Sequence, residues 1–389
     1  MARKVIHVAV NGVTGRMGYR QHLVRSLLAI REQGGIALDD GNGSDTTVLY
    51  PEPILVGRSA ERLRAIAERH GLSSWTTSLD EVLGDPEVDV YFDTQVTSAR
   101  ESAVARAIEA GKHVYTEKPV AGSADAAFAL AEAAKAAGVT HGVVQDKLFL
   151  PGVIKLRRLI REGFFGRVLS VRLEFGYWVF EGDGGIPAQR PSWNYRAEDG
   201  GGIVLDMFPH WHYLLEDLFG PVSALYARRA THLPRRWDER GEPYEVTADD
   251  AAYAVLEFAS GAFASVNSSW AVRVNRRELL ELQVDGTHGS AVAGLRECAV
   301  QHKVSTPMPV WNPDLPDPLD YQAMWTDVPD NTAFDNGFKA QWELFLKDAA
   351  RGRPFQWDLF AGARGVQLAE LATRSSDQGV RVAVPAPGA

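Results

Sequence analysis

Cysteine is almost absent: Cys298 is the only one among 389 residues. A single thiol makes no internal disulfide and no thiolate metal site, so an apolar core has to hold the chain together. No stretch of about 18 uninterrupted apolar residues occurs, and no membrane-spanning helix is expected. The opening MARKVIHVAV runs from two basic residues straight into a strand pattern, without the apolar segment and cleavage site of an export signal. A basic excess is missing too: 50 Asp+Glu against 41 Lys+Arg leave a formal charge of −9. Nucleic acid is therefore not expected as a partner, because phosphate binding needs a basic footprint. The remaining composition, 45% hydrophobic and 23% charged, is that of an ordinary globular protein long enough for two domains. These absences leave a cytoplasmic enzyme or binding protein.

What is present is a regular alternation. Over residues 1–150 short apolar runs alternate with helical patterns, which predicts a parallel α/β sheet. Val5 to Val10 is a β-branched run, and a helical stretch follows from Arg16 to Glu32. The Gly- and Asp-rich residues 34–47 read as a surface excursion. Pro53 to Gly57, Val88 to Thr94, His113 to Thr116 and Thr140 to Val144 are the later strands. Between them lie helical patterns at Ala60 to His70, Ser98 to Ala110 and Asp125 to Ala137. Over residues 151–389 the pattern becomes that of an α+β domain. Val168 to Phe175, Ala251 to Phe258, Ala262 to Ser269 and Glu278 to Val284 alternate as strands, with a hairpin turn at Ser260-Gly261. The Pro- and Asp-rich residues 296–336 read as a long loop or arm, and Phe338 to Ala349 and Asp358 to Arg374 as closing helices.

The turn after the first strand is Asn11-Gly12-Val13-Thr14-Gly15-Arg16-Met17-Gly18. Glycines at every third position between a strand and a helix let the backbone approach a pyrophosphate, and the helix N-terminus presents N–H donors to it. Gly12, Thr14, Gly15, Arg16 and Met17 are the residues expected there. The end of the second strand distinguishes NAD from NADP: an acid bonds the ribose hydroxyls, whereas an arginine accommodates the extra phosphate. This chain has Gly57-Arg58-Ser59, then Arg62, and no acid at that tip. Arg58, Ser59 and Arg62 thus favour NADP over NAD, with solvated charges at a helix start as the alternative for the arginines.

Three further segments, in order, resemble the Gfo/Idh/MocA oxidoreductases. Ala110-Gly111-Lys112-His113-Val114-Tyr115-Thr116-Glu117-Lys118-Pro119 is similar to that family's AGKHV…EKP motif. Gly200-Gly201-Gly202-Ile203-Val204-Leu205-Asp206-Met207-Phe208-Pro209-His210 resembles its glycine run and D…H helix, and Val284-Asp285-Gly286-Thr287-His288-Gly289-Ser290 its sheet turn. The resemblance implies an N-terminal Rossmann dinucleotide-binding domain followed by an α+β domain with a large, open-faced, mostly antiparallel sheet. It also implies hydride transfer between a nicotinamide and a secondary alcohol of a sugar, glycoside or cyclitol, in a homodimer or homotetramer.

The residues suit that chemistry. Oxidising a carbinol needs a base for the hydroxyl proton. Asp206 and His210 stand one helical turn apart on one face, and histidine titrates near neutrality. His210 is assigned as general base, Asp206 as its orienter or as acceptor of a substrate hydroxyl, and Lys118 as alkoxide stabiliser or proton relay. His212 could join Asp206 and His210 around a metal, but His-Trp-His on a helix turns its two imidazoles apart, so no metal is expected.

The chain departs from the family at three places. The fourth strand usually ends TPN…H; here it reads Thr94-Gln95-Val96-Thr97, with Arg100 in the histidine's place. Thr94, Gln95, Glu117 and Lys118 are still expected to meet the cofactor. Tyr213 stands three residues after His210, where an aspartate is common. Lys147, in Gln145-Asp146-Lys147, replaces an arginine-bearing version and is placed in the substrate pocket, with a solvated lysine as the alternative. Aromatics cluster at Tyr177, Trp178, Phe180, Trp193, Tyr195, Trp211 and Tyr213. Trp193, Tyr195 and Arg196 are the substrate candidates, while sheet packing is an equal reading of Trp178 and Trp211. Two alternative functions remain open: a glycoside-cleaving enzyme using transient oxidation by NAD, and a non-catalytic dinucleotide-binding regulator.

Overall fold

A computed structural model describes residues 2–38, 47–177, 185–306, 312, 314–316, 319–320 and 322–386. The chain forms two compact units, the first of residues 1–149 and 335–367, the second of 150–334 and 368–389.

The first unit holds a seven-stranded sheet built from β1 (Arg3–Asn11), β2 (Ile36–Leu38), β3 (Thr47–Val56), β4 (Trp75–Thr76), β5 (Val88–Asp93), β6 (His113–Thr116) and β7 (His141–Val143). Its order is β2-β3-β1-β5-β6-β7, with β4 beside β3. Every pairing is parallel except β2 with β3. Parallel strands need helical crossovers, and these cover both faces, so Val8, Ala9 and Val10 in succession are fully buried. Helices start where serine supplies an N-cap: Ser59 accepts from the Arg62 N–H and Ser123 from the Ala126 N–H.

Sequence and structure differ in three places here. Ile36–Leu38 pairs along Thr47–Leu49 as an edge strand, so the 34–47 segment is in part sheet; residues 39–46 lie outside the described ones. The first helix winds as a π-helix over Met17–Leu28 before Ala29–Glu32 turns α-helical, and the Ser26 hydroxyl bonds the Gln21 carbonyl five residues back. Finally, residues 335–367 belong to the first unit although 151–389 read as one block. The cause is apolar matching: Trp342, Phe345 and Leu346 of the helix Gly337–Arg351 complete the core formed by Val8, Val10, Leu23 and Phe92.

The second unit carries a nine-stranded sheet. Its strands are β8 (Val168–Phe175), β9 (Val222–Ala230), β12 (Ala251–Phe258), β13 (Phe263–Ser269), β14 (Leu280–Gly286), β15 (Gly289–Ala293), β16 (Cys298–His302), β17 (Thr326–Asp327) and β18 (Val382–Ala383). A separate ribbon pairs β10 (Arg235–Trp237) with β11 (Pro243–Glu245). The large sheet runs β17-β16-β15-β14-β8-β13-β12-β9-β18 and is antiparallel except between β8 and β13. Strict alternation buries Ala254, Leu256, Ala264 and Val266 on one face, under the helix Ile203–Phe219, and leaves Tyr253, Val255 and Phe263 exposed on the other. Within the expected 296–336 loop, β16 and β17 extend the sheet; residues 307–311, 313, 317–318 and 321 lie outside the described ones.

Candidate active site

In the first unit the C-terminal ends of β1, β3, β5 and β6 converge, the edge at which doubly wound sheets bind ligands. Gly12 has φ +81°, and a Cβ there would stand 2.9 Å from the Thr94 carbonyl carbon. Only glycine therefore lets the loop lie against the end of β5. Gly15 and Arg16 are exposed beyond it, and Met17 begins the π-helix. A cleft of about 250 Å³ opens between Asn11, Gly57, Arg58, Gln95 and Ser102. The Gln95 side-chain oxygen is buried with no hydrogen-bond partner among the described residues. A buried acceptor beside a glycine loop fits a bound dinucleotide, which offers hydroxyl donors to it. Arg58 and Arg62 are exposed; Ser59 spends its oxygen on the helix cap, and Thr14 and Arg62 line an adjoining cleft of about 280 Å³ with Tyr19 and Arg69.

Arg100, where the family has histidine, is buried and braces this region. Its Nε donates to Asp93 Oδ1 at 3.2 Å, one terminal nitrogen to the Gln95 carbonyl at 2.6 Å, and the other to the Pro119 carbonyl. Asp93 also accepts from the Tyr91 hydroxyl at 2.6 Å, which itself accepts from Asn11 Nδ2 at 2.8 Å. One buried network thus ties the ends of β1, β5 and β6. The departure was visible in the sequence; its partners were not, because Asp93 and Gln95 reach Arg100 only through the fold of the turn after β5, and Pro119 comes from the next crossover.

The Glu117-Lys118-Pro119 corner follows β6, with a cis Lys118–Pro119 peptide. Glu117 is buried, and its carboxylate receives the Lys118 backbone N–H at 3.1 Å and lies 2.8 Å from His22 Nε2. Burial pushes this carboxyl upward, but the His22 hydrogen bond and the Lys118 and Arg100 cations outweigh it and hold it below the ordinary carboxylate range. Glu117 is thus a buried anchor of the loop. Lys147 lies on the single turn Asp146–Phe149, its ammonium 3.6 Å from the Asp146 carboxylate.

In the second unit, the glycine run lets the chain enter the helix Ile203–Phe219. A Cβ on Gly201 would lie 2.5 Å from the Trp193 and Asn194 carbonyl oxygens, so the run passes where no side chain fits. Asp249 caps that helix, taking the Val204 N–H at 2.8 Å. Asp206 is half-buried and ion-paired to Arg190, whose guanidinium stacks on Trp270 at 4.3 Å and reaches Asn194 Oδ1 at 3.0 Å. His210 is buried, and its Nδ1 lies 2.7 Å from the Tyr213 hydroxyl. The group found on Nδ1 is thus the phenol three residues on, at the position where an aspartate is common. Arg190 and Tyr213 are the side chains that sequence reasoning left without a role.

Tyr195 requires a correction. Its ring is fully buried, 5.3 Å from Trp270 and under the Arg236 guanidinium at 4.1 Å, and desolvation raises its hydroxyl to about 12. It is a core ring and presents no face to a substrate. Trp193 is exposed, and Arg196 packs on Tyr244 at 4.5 Å, 4.0 Å from Asp199. Trp211 is a packing residue, buried against Phe175 and bonded to Ser268; Trp178 and Phe180 lie outside the described residues. His212 sits 3.4 Å from Glu216. Among the described residues, no group of three or more His, Cys, Asp or Glu could hold a metal ion, and no helix is long and apolar enough to cross a membrane.

A glycine-turn nucleotide cleft, a Glu-Lys-Pro corner and a helix bearing Asp206 and His210 define a dinucleotide-binding oxidoreductase. The family models agree: residues 6–145 match the oxidoreductase family with an NAD-binding Rossmann fold, and residues 153–292 the GFO/IDH/MocA C-terminal domain. The chain is 54% identical to a D-xylose dehydrogenase of Paenarthrobacter nicotinovorans over 385 residues, 98% of each chain. It is 26% identical to a levoglucosan dehydrogenase of Pseudarthrobacter phenanthrenivorans, over 62% of this chain and 66% of that one. A levoglucosan dehydrogenase solved with NADH and levoglucosan shares the fold with a TM-score of 0.78 at 22% identity, covering 98% of this chain and 100% of that one. The chain belongs to the Gfo/Idh/MocA oxidoreductase family.

Proposed function

We propose that this protein is a sugar dehydrogenase that oxidises a ring CH–OH of a pyranose, glycoside or cyclitol, with D-xylose as the first substrate to try. The observation that carries this reading is the 54% identity, end to end, with a D-xylose dehydrogenase. The bound nicotinamide supplies hydride acceptance; the rest falls to the protein. His210 is the base: the Tyr213 hydroxyl, 2.7 Å from Nδ1, orients the ring, and Nε2 takes up the substrate hydroxyl proton. Lys118 steadies the developing alkoxide with its ammonium. Asp206, held as a carboxylate by Arg190, accepts a second sugar hydroxyl. Lys147, Trp193 and Arg196 contribute to sugar binding, and Gly12, Thr14, Gly15, Arg16, Met17, Thr94 and Gln95 to cofactor binding, with Glu117 holding the loop from beneath.

For the cofactor, Arg58 and Arg62 favour NADP over NAD. Arg58→Ala is expected to raise KM for NADP about tenfold or more, the value of one charge-assisted contact, with a smaller change for NAD. An equal change for both cofactors would remove the phosphate role. The proposal also places the protein in the cytoplasm as a homodimer or homotetramer joined through the open sheet face. Phe263 and Val255, 51% and 45% exposed, are the apolar residues such an interface would cover. Phe263→Glu should shift sedimentation toward the monomer, and an unchanged mass would move the interface elsewhere. The function itself is tested with purified protein, a panel of aldoses, glycosides and cyclitols, and each cofactor, following reduced nicotinamide. Substrate cleavage without net reduction would favour the redox glycosidase instead.

A further inference from the structure

We propose that Trp342, in the helix that returns to the first unit, acts through His22 as a positioning residue for the Glu117–Lys118 corner. The indole Nε1–H of Trp342 lies 3.0 Å from His22 Nδ1. An indole nitrogen only donates, so Nδ1 is the acceptor and the ring proton sits on Nε2. That proton faces Glu117 Oε1 at 2.8 Å, and the other carboxylate oxygen holds the Lys118 backbone N–H at 3.1 Å. Every polar atom of the relay is thereby paired in one sense only. Reversing the imidazole tautomer would set N–H against N–H at Trp342 and lone pair against carboxylate at Glu117.

The packing leaves no room for an alternative arrangement. His22 is fully buried, its ring 4.3 Å from Phe92 and edge-on to Phe338 at 5.2 Å. Trp342 is itself locked between Phe92 and Tyr115, at 4.9 and 4.7 Å. The carboxylate plane of Glu117 is therefore set by a residue 225 positions away in sequence, and with it the point from which the Lys118 side chain departs. Neither His22 nor Trp342 is placed at the reacting atoms; their effect on turnover passes through Lys118. The kinetic part of the inference rests on the role of Lys118 proposed above, whereas the tautomer does not.

The test uses the full-length protein. Imidazole ¹⁵N NMR of histidine-labelled protein, with the His22 signal assigned by its loss in His22→Gln, should show a single ring proton on Nε2. In Trp342→Phe, which keeps a ring in the cluster but removes the donor, the Nδ1 resonance should shift because that nitrogen loses its hydrogen bond, while Glu117 still holds the proton on Nε2. In steady-state assays His22→Leu should lower kcat about 10- to 100-fold, as a misplaced catalytic group does, with sugar KM little changed. His22→Gln should recover most of the loss, because its amide oxygen can accept from the indole and its NH₂ can donate to Glu117. A proton on Nδ1 in the unmodified protein overturns the relay. So does a His22→Leu or, should that variant not fold, a Trp342→Phe enzyme with undiminished kcat. Full turnover in Lys118→Met would instead overturn the role of Lys118 and leave the NMR result standing.

Discussion

Replacing His210 with alanine is expected to lower kcat by about 10²–10⁴-fold, the usual contribution of a positioned general base. The imidazole is buried, so the change should act on turnover far more than on cofactor binding, which the first unit provides. Tyr213→Phe is a gentler version of the same experiment. It keeps the ring but removes the 2.7 Å contact to Nδ1. A loss of about tenfold, one hydrogen bond's worth, is expected. Where a carboxylate on Nδ1 would stabilise the imidazolium by charge, a phenol does so only by hydrogen bonding. Steady-state kinetics and NADH binding measured on the same preparations separate these effects. Wild-type kcat in His210→Ala would remove histidine from the chemistry and shift proton transfer to Lys118.

The second large effect is expected at Arg100. Arg100→Leu should destabilise the first unit by about 3–5 kcal/mol, because it leaves a buried carboxylate without its cation. Asp93 is fully buried and, among the described residues, would retain the Tyr91 hydroxyl and the Gln95 N–H as side-chain partners. The same substitution releases the Gln95 and Pro119 carbonyls, so dinucleotide affinity should fall as well. Urea unfolding and NADH titration measure the two losses. Pairing Arg100→Leu with Asp93→Asn should recover part of the stability, since the uncompensated charge is then gone. If Arg100→Leu unfolds at the same urea concentration as the unmodified protein, the network is not what holds these loops.

The residues proposed for the chemistry stand out in the sequence because their signals are local. Gly12 to Gly18, Glu117-Lys118-Pro119 and the Asp206/His210 spacing each declare themselves within a dozen residues. The alternation in β8, β12 and β13 likewise gave strand positions that the structure shifts by at most one residue. Pairing was less legible. Ile36–Leu38 looked like loop because a three-residue edge strand has too few alternations to register, and β16 was lost in a Pro- and Asp-rich setting. Tyr195 was misread because an aromatic beside polar residues has the same sequence context whether it meets a ligand or a buried arginine; here it meets Arg236.

By itself, then, the sequence determined the order of the two domains, the dinucleotide-type turn, the family and the side chains available for acid–base work. Periodicity and short motifs encode these, and both are properties of neighbouring residues. Tertiary structure alone decided which partner each of these side chains has: Arg190 for Asp206, Arg100 for Asp93, and Trp342 through His22 for Glu117. It also decided that residues 335–367 return to the first unit. Such pairings join segments up to 320 residues apart, and they are chosen by the burial of apolar faces and the cost of leaving a polar atom unpaired inside them.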